Sequence, residues 1–465
     1  MQNVSLRELN NIRSLNASSY KEQTCTWDDS IKVKMKKDQL EQNIPLDGEK
    51  YDVVVIGGGT AGVIAAIQAA RAGAITLLVE KNMVLGGTMT AAGVAFPGLF
   101  HSHGQQIIAG IGWELVTQCV EYSGASLPNF SLPDLPHYKY QIPLDPFIYT
   151  SLCCQTVIDA GCKLLLNSML ASVKQQADCW QLELCTKTGL KTVKTQLLID
   201  CTGDANAAML AGAQVRVIAE PQPASLICKL SGYDFASLDI DAINQAFEQA
   251  VKAGKLAYTD VSWDSERAKV GNWLRQYGTN ANHFTAHNAH TSEGRTALEI
   301  KARNSILNLY RFLKTQPGLN NLQINYIAQE CGVRETVTIK GEATITVDDY
   351  LSGRRWDDAV CYSFYPIDLH GSGGVDCRQL QQGVIPTIPR GALLPHGCGN
   401  LLVAGRAISS DRLANSALRV QASSMATGQV AGALAALCVA KNQDPRNISA
   451  KLLCDLLKTH GAIVP

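Results

Sequence analysis

Three glycines, Gly57, Gly59 and Gly62, stand in the spacing G-x-G-x-x-G, and Glu80 follows the first of them by 23 residues. Each has a task if the ligand is a dinucleotide. Gly57 permits a tight turn, Gly59 lets the backbone approach a pyrophosphate, and Gly62 lets a helix pack closely on a strand. The helix that starts at Thr60 and Ala61 would then present free N–H groups and a partial positive charge to the phosphates. Glu80 can accept hydrogen bonds from both ribose hydroxyls and would repel a 2′-phosphate, which disfavours NADP. The glycine pattern is unspecific alone, so its flanks must decide.

The flanks agree. Residues 53–56 are an apolar, β-branched run, as in a strand buried on both faces. Residues 61–72 have helical composition and stop at Gly73, a natural C-cap. Residues 75–79 read as a second strand that Glu80 closes, giving one β-α-β unit of about 30 residues. Further helices are expected over 112–122, 147–161 and Ser292–Lys314. Further strands are expected over 163–166, Trp180–Thr186 and 195–199. Residues 400–440 return to strand, glycine and helix, with the helix running from about residue 418. The most apolar stretch, 417–440, holds Arg419, Gln421 and Gln429, which suits a packed helix better than a lipid-facing one.

A chain of 465 residues can build two or three cores. Lys plus Arg and Asp plus Glu are each 41, and this balance argues against nucleic acid or an anionic membrane as the main partner. The 15 cysteines include no Cys-x-x-Cys, so neither a zinc ribbon nor a thioredoxin-type site is indicated. Unpatterned thiols suit small buried hydrophobes in a reducing, cytoplasmic setting. Residues 1–48 read as an extension with a solvated basic run at 32–37, without the apolar segment of a secretory signal.

Longer motifs separate FAD from NAD. Residues 51–90, YDVVVIGGGTAGVIAAIQAARAGAITLLVEKNMVLGGTMT, resemble the FAD-binding start of a large flavoprotein superfamily, with Gly86-Gly87 as its second glycine pair. The resemblance implies that Lys81, Gly87, Thr88 and Met89 also hold the cofactor. Residues 198–212, LIDCTGDANAAMLAG, resemble the motif whose Gly and Asp contact the ribityl and pyrophosphate portion, here Gly203 and Asp204. Residues 400–432 resemble the closing motif, in which Gly405, Arg406 and a helix start near Val420 face the flavin ring. With EGRTALEIKARNSILNLYRFLK, CGVRETVTIKGEATITVDDYLSGRRWDDAV and YPIDLH, the chain resembles the FAD-dependent oxidoreductase family related to the fumarate reductase and aspartate oxidase flavoproteins. That implies an α/β fold. A Rossmann-type FAD-binding domain would comprise 49–215 and 385–440. A substrate (cap) domain would be inserted at 216–384, and 441–465 would be a tail. No second strand–GxGxxG–helix unit is present for NAD(P)H, and no cysteine set suggests an iron–sulfur cluster.

A flavin exchanges a hydride, and the protein supplies a proton carrier and orienting groups. His370 and Arg334 are the catalytic candidates. Asp368 can orient the His370 imidazole or point to the opposite face of a strand. Gly371, Gly373 and Gly374 would let a ligand approach. An ordinary structural histidine is the alternative. Arg334 with Glu335 lies near flavin and substrate or forms a buried pair between domains. Arg390 and Arg406 can reach an anionic group, Arg406 more naturally the cofactor's. His283, His287 and His290 would share a helix face as in a metal site. Their Asn- and Thr-rich segment does not read as helix, and no metal is expected. Covalent FAD through His101 or His103 is not expected either. The resulting expectation is an FAD-dependent oxidoreductase moving hydride between a small polar substrate and flavin, with an unidentified electron partner. A flavin monooxygenase or halogenase and a non-catalytic flavoprotein are the rivals.

Overall fold

The computed structural model describes residues 48–465 apart from 133–135, 267, 279 and 372–373. The basic run at 32–37, Cys25 and Gly373 lie outside the described residues. The main sheet contains Lys50–Ile56 (β1), Thr76–Val79 (β2), Lys163–Leu165 (β3), Met169–Gln175 (β4), Trp180–Thr186 (β5) and Gly189–Asp200 (β6). Ile367–Gly371 (β7) and Gly374–Arg378 (β8) form a separate antiparallel hairpin, and Leu401–Val403 (β9) rejoins the main sheet. This seven-stranded sheet runs β3-β2-β1-β6-β5-β4, with β9 also beside β6. Pairing is parallel among β3, β2, β1, β6 and β9, and antiparallel through β6, β5 and β4.

The long β6 carries both patterns. Its first half faces β5, with Thr195 opposite Trp180, and its last three residues, Leu198 to Asp200, face β9. The apolar run in β1 has the burial expected of a parallel strand covered on both faces, with Val53 to Ile56 all buried.

Two helices lie against this sheet, Thr60–Arg71 (α1) and Gln421–Lys441 (α4). They meet so closely that side chains are excluded at two positions one turn apart. A Cβ on Gly428 would sit 2.2 Å from the Ala61 carbonyl oxygen, and one on Gly432 2.2 Å from that of Ala65. On the other side of α1, a Cβ on Gly62 would sit 1.8 Å from the Gly57 carbonyl oxygen. Gly62 therefore serves packing, as the spacing suggested. An 18-residue stretch of α4 is apolar enough to cross a membrane, but 94% of it is buried inside the protein.

Where one helix is expected from about residue 418, there are two. Arg412–Leu418 (α3) ends, Val420 is extended (φ −63°, ψ 151°), and α4 starts afresh. Tertiary bonds fix the break. Ala422 N–H donates to the Pro97 carbonyl, and the Gln421 amide donates to the carbonyls of Val94 and Phe96.

Buried apolar side chains gather in three clusters. One spans both sides of α1 and includes residues between Ile345 and Leu394. Another is drawn wholly from residues 224–333 and centres on Trp273, Phe247 and Phe284. The third lies on the other face of the sheet. The helix Ser292–Lys314 (α2), which matches the sequence expectation, belongs to the second cluster. Residues 441–465, read as a tail, contain the helix Ala450–Thr459 with Leu453 and Leu457 buried. Among the described cysteines all are free thiols, and only Cys185 and Cys377 are exposed.

Replacing Gly428 by Val forces α4 away from α1. Overpacking of this kind costs about 1–3 kcal/mol, so the urea midpoint should fall. An unchanged midpoint would mean that the helix pair yields without cost.

Candidate active site

The carboxyl ends of β1, β2, β6 and β9 open on one cavity of about 1190 Å³. Small-molecule pockets usually hold roughly 300–1,000 Å³, so there is room for a dinucleotide and a second ligand. Ile56, Val79, Cys201 and Ala404, at or just past those strand ends, are in the wall. Three helix starts reach it as well: Thr60 and Ala61 of α1, Ser292 and Arg295 of α2, and Val420 and Gln421 at α4. The helix dipoles at these starts favour an anion.

The glycine turn is built as its spacing implied. Gly57 has φ +98°, and a Cβ there would lie 2.5 Å from the Cys201 carbonyl oxygen. Gly59 differs in kind. A Cβ there would meet no protein atom nearer than the Gly87 Cα at 3.8 Å. The protein's own packing therefore does not demand glycine at 59, and the space left free opens on the cavity. Gly87 has φ +55° and closes the other side of this turn. Thr60 donates from Oγ1 to the Gly86 carbonyl and the Gln421 side chain, tying the first glycine loop to α4.

Glu80 is buried in the cavity wall. It accepts the N–H of Gly58 at 2.6 Å and that of Asn82 at 2.8 Å. Burial pushes its carboxyl up, against the opposing pull of those two bonds. Lys81 lines the cavity and pairs with Glu330 at 2.6 Å. Thr88, Gly203 and Gly405 are in the wall too. Met89 is not. It is fully buried in the core behind the wall.

Asp204 sits between Arg406 at 2.6 Å and Arg295 at 3.2 Å and also accepts from Thr336 Oγ1 at 2.7 Å. Burial pushes its carboxyl up, but the two guanidinium groups hold it below the usual range. One carboxylate does not neutralise two cations. Arg406 Nε is moreover buried without a partner among the described residues. Such a donor is costly unless a ligand meets it, and a pyrophosphate would.

A second charged group faces the same cavity. Asp368 and His370, two apart on β7, share one side of the strand, with His370 Nε2 at 3.3 Å from Asp368 Oδ2. Arg419, at the α3–α4 break, lies 3.6 Å from that oxygen. Burial pushes Asp368 up, but the bond from His370 and the charges of Arg419 and Arg334 bring it to about 2. Arg334 donates to the Pro223 carbonyl at 2.6 Å and to Ser225 Oγ at 3.2 Å. Burial, then the nearby Arg419, lowers it to about 9, still a cation at neutral pH. Trp263 and Tyr365 complete this end of the wall.

Several sequence-level roles are redistributed. Arg334 and Glu335 do not pair. Glu335 is buried on Gln222 and Arg412, while Arg334 faces the cavity. Arg390 donates to the Ile448 carbonyl, off the cavity wall. Gly371 and Gly374 pair across the β7–β8 hairpin instead of lining the cavity. His101 stacks on Phe130 at 3.8 Å and, like His103, is not in the wall. Among the described residues no three metal-binding side chains cluster.

Sequence reasoning gave Arg295 no role, read Arg419 only as a polar residue of a packed helix, and weighed His283 only as a metal ligand. Arg419 precedes Val420 in the closing motif, which was the available signal. Nothing local marks His283, whose Nε2 lies 3.1 Å from His370 Nδ1. Burial, then Arg334, lowers His283 to about 3, and burial lowers His370. Unfolded imidazoles titrate near pH 6.5. Below that pH the unfolded chain binds more protons than the folded one, so stability falls with acid. The urea midpoint should be lower at pH 5 than at pH 7, and His283→Gln should flatten that slope. A pH-independent midpoint would contradict the assignment.

Comparison with known proteins gives the chain its cofactor. A stretch of 70 residues is 43% identical to one component of the ferredoxin:CoB-CoM heterodisulfide reductase of Methanosarcina acetivorans, covering 14% of this chain and 8% of that protein. A stretch of 48 residues is 46% identical to the 3-oxosteroid 1-dehydrogenase of Mycolicibacterium smegmatis, covering 10% and 8%. The chain thus spans under a tenth of the length of these two relatives. Among solved structures, a geranylgeranyl bacteriochlorophyll reductase-like protein of Thermoplasma acidophilum is 13% identical with a TM-score of 0.42, over 88% of this chain and 83% of that one. The FAD dependent oxidoreductase profile matches residues 52–457. With nearly all of the described fold inside that match, the protein is an enzyme that uses FAD and belongs to the FAD dependent oxidoreductase family.

Proposed function

We propose that the protein oxidises or reduces a small polar substrate bearing an anionic group, by hydride exchange with FAD. One observation carries this reading. Arg334, Arg419, Asp368 and His370 stand in the wall of the same cavity as the glycine cradle. In this reading Gly57, Gly59, Thr60, Ala61 and Gly203 hold the pyrophosphate region, with Arg406 and Arg295 supplying positive charge. Glu80 holds the adenosine ribose. Gly87, Thr88, Gly405 and Val420 border the ring. Bound FAD supplies the hydride acceptor or donor.

The chain's own groups supply the rest. Arg419 pairs with Asp368 while Arg334 is held by the neutral Pro223 carbonyl and Ser225 hydroxyl, and the surplus positive charge suits a carboxylate or similar anion. Asp368, ionised at any working pH, accepts the Nε2–H of His370 and favours that ring's protonated form when a proton arrives. The resemblance to the fumarate reductase and aspartate oxidase flavoproteins supports a substrate-side place for the strand carrying His370. The compact cluster within 224–333 is the part of the proposed cap that closes this end, through Ser225 and Trp263.

The deciding experiment is anaerobic stopped-flow, following flavin bleaching against alcohols, amines and acids. Carboxylate-bearing substrates should bleach it fastest. Failure of every class would overturn the reading, and rapid saturable reduction by NADH or NADPH would favour a monooxygenase. His370→Ala should keep FAD and slow reduction by about 10²–10⁴-fold, while Arg334→Ala should also raise KM. Wild-type kinetics in either variant would remove that residue from the mechanism.

Cofactor loading gives a separate check. Gly59→Val fills space the pyrophosphate needs and should yield colourless protein. Glu80→Ala should weaken FAD by about 1–3 kcal/mol, the usual cost of losing a hydrogen bond to a charged acceptor. Full loading of Gly59→Val, or unchanged affinity in Glu80→Ala, would place the dinucleotide elsewhere.

A further inference from the structure

His370 cannot act as the free base that a lone active-site histidine suggests, because both of its ring nitrogens are engaged. Nε2 faces the Asp368 carboxylate at 3.3 Å, and Nδ1 faces Nε2 of His283 at 3.1 Å. Two bare nitrogens at that separation repel, and two N–H groups collide, so one hydrogen lies between the rings. Asp368 is ionised, which places a hydrogen on His370 Nε2. In the neutral pair His370 Nδ1 is therefore the acceptor, and His283 Nε2 carries the shared hydrogen. The chain reads Asp368 carboxylate, His370 and His283 in sequence.

Such a chain can take up a proton at either end. Asp368 is a poor acceptor, being ionised down to strongly acid pH. The other end is His283 Nδ1, which makes no hydrogen bond to a described residue. A proton added there lets the shared hydrogen pass from His283 Nε2 to His370 Nδ1. The product is a His370 imidazolium beside Asp368, with His283 neutral in its other tautomer. One proton has entered, and every internal hydrogen bond is kept. The surrounding charges agree with this division. Arg334 disfavours a charge on either ring, and Arg419 one on His370, but His370 is the ring that holds a carboxylate directly, through Nε2 on Asp368. Arg419 lies behind Asp368. The positive charge is thus better placed on His370 than on His283.

We propose that His283 is the relay residue of the acid–base unit: protons enter and leave at its Nδ1, while the charge resides on His370. The inference rests on the proposed function for its place in turnover but not for its test. His283 is buried, comes from the 224–333 cluster and packs against Trp263 at 6.1 Å between rings. The relay is complete only while that cluster is docked against β7.

The primary test is long-range 1H–15N spectroscopy of histidine-labelled, FAD-loaded, full-length protein, which needs no substrate. At pH 7 both His370 and His283 should carry hydrogen on Nε2 alone. On acidification His370 should become doubly protonated as His283 moves its hydrogen to Nδ1. A His370 with hydrogen on Nδ1 at pH 7, or a doubly protonated His283 appearing first, overturns the proposal. The second test is His283→Gln, whose amide can still donate to His370 but cannot relay a proton. It should keep FAD and the unfolding midpoint at pH 7 while reduction slows by about 10²-fold or more. Reduction at the wild-type rate overturns the relay. If the variant does not load FAD, the wild-type spectra decide. If no substrate reduces the flavin, the reaction proposed above fails while the spectra still test the relay.

Discussion

The approach of α1 to the ends of β1 and β6 is the constraint on which the rest depends. It is set by backbone contact. With the Gly57 carbonyl where the Gly62 Cβ would otherwise be, the helix starts immediately beyond the strand, and its first N–H groups face the cavity. The same closeness recurs on the outer side of α1, where Gly428 and Gly432 admit α4. Side chains at any of these positions would separate the layers by more than a methyl group. Two helix starts that lie 361 residues apart, joined through Thr60 and Gln421, would then no longer border one cavity.

Electrostatics repeat one arrangement at both ends of that cavity. Asp204 stands between Arg406 and Arg295, and Asp368 is flanked by Arg419 with Arg334 nearby. Each carboxylate keeps buried guanidinium groups tolerable without cancelling them. A fully neutralised pair would leave nothing for a ligand, and an unpaired buried cation would be too costly to hold. The surplus at the first end suits a pyrophosphate, and the surplus at the second suits a substrate anion.

The second end is also where separate parts of the fold meet. Asp368 and His370 come from the β7–β8 hairpin, Arg419 from the break before α4, and His283 from the 224–333 cluster. Gln222 ties β7 to Arg419. Its side-chain oxygen accepts the His370 N–H at 3.0 Å and Arg419 at 3.3 Å, while its amide binds the buried Glu335. Displacing the 224–333 cluster would remove His283 and uncover His370.

The sequence by itself determined the β-α-β unit, α2 to the residue, and the roles of Gly57 and Gly62. Those features rest on local rules: apolar runs of strand or helix period, a capping glycine, and a turn that only glycine can make. It also marked His370, Arg334, Asp204 and Arg406 through motif position. Tertiary structure decided the rest, because each remaining fact concerns partners distant in the chain. The break between α3 and α4 is held by carbonyls near residue 96. Met89 turns into the core although its neighbours line the cavity. Arg334 faces the cavity, whereas Glu335 is buried on Gln222 and Arg412. His283 lies 87 residues from His370. No spacing rule links such positions, so their contact is fixed only when two separately packed clusters close on each other.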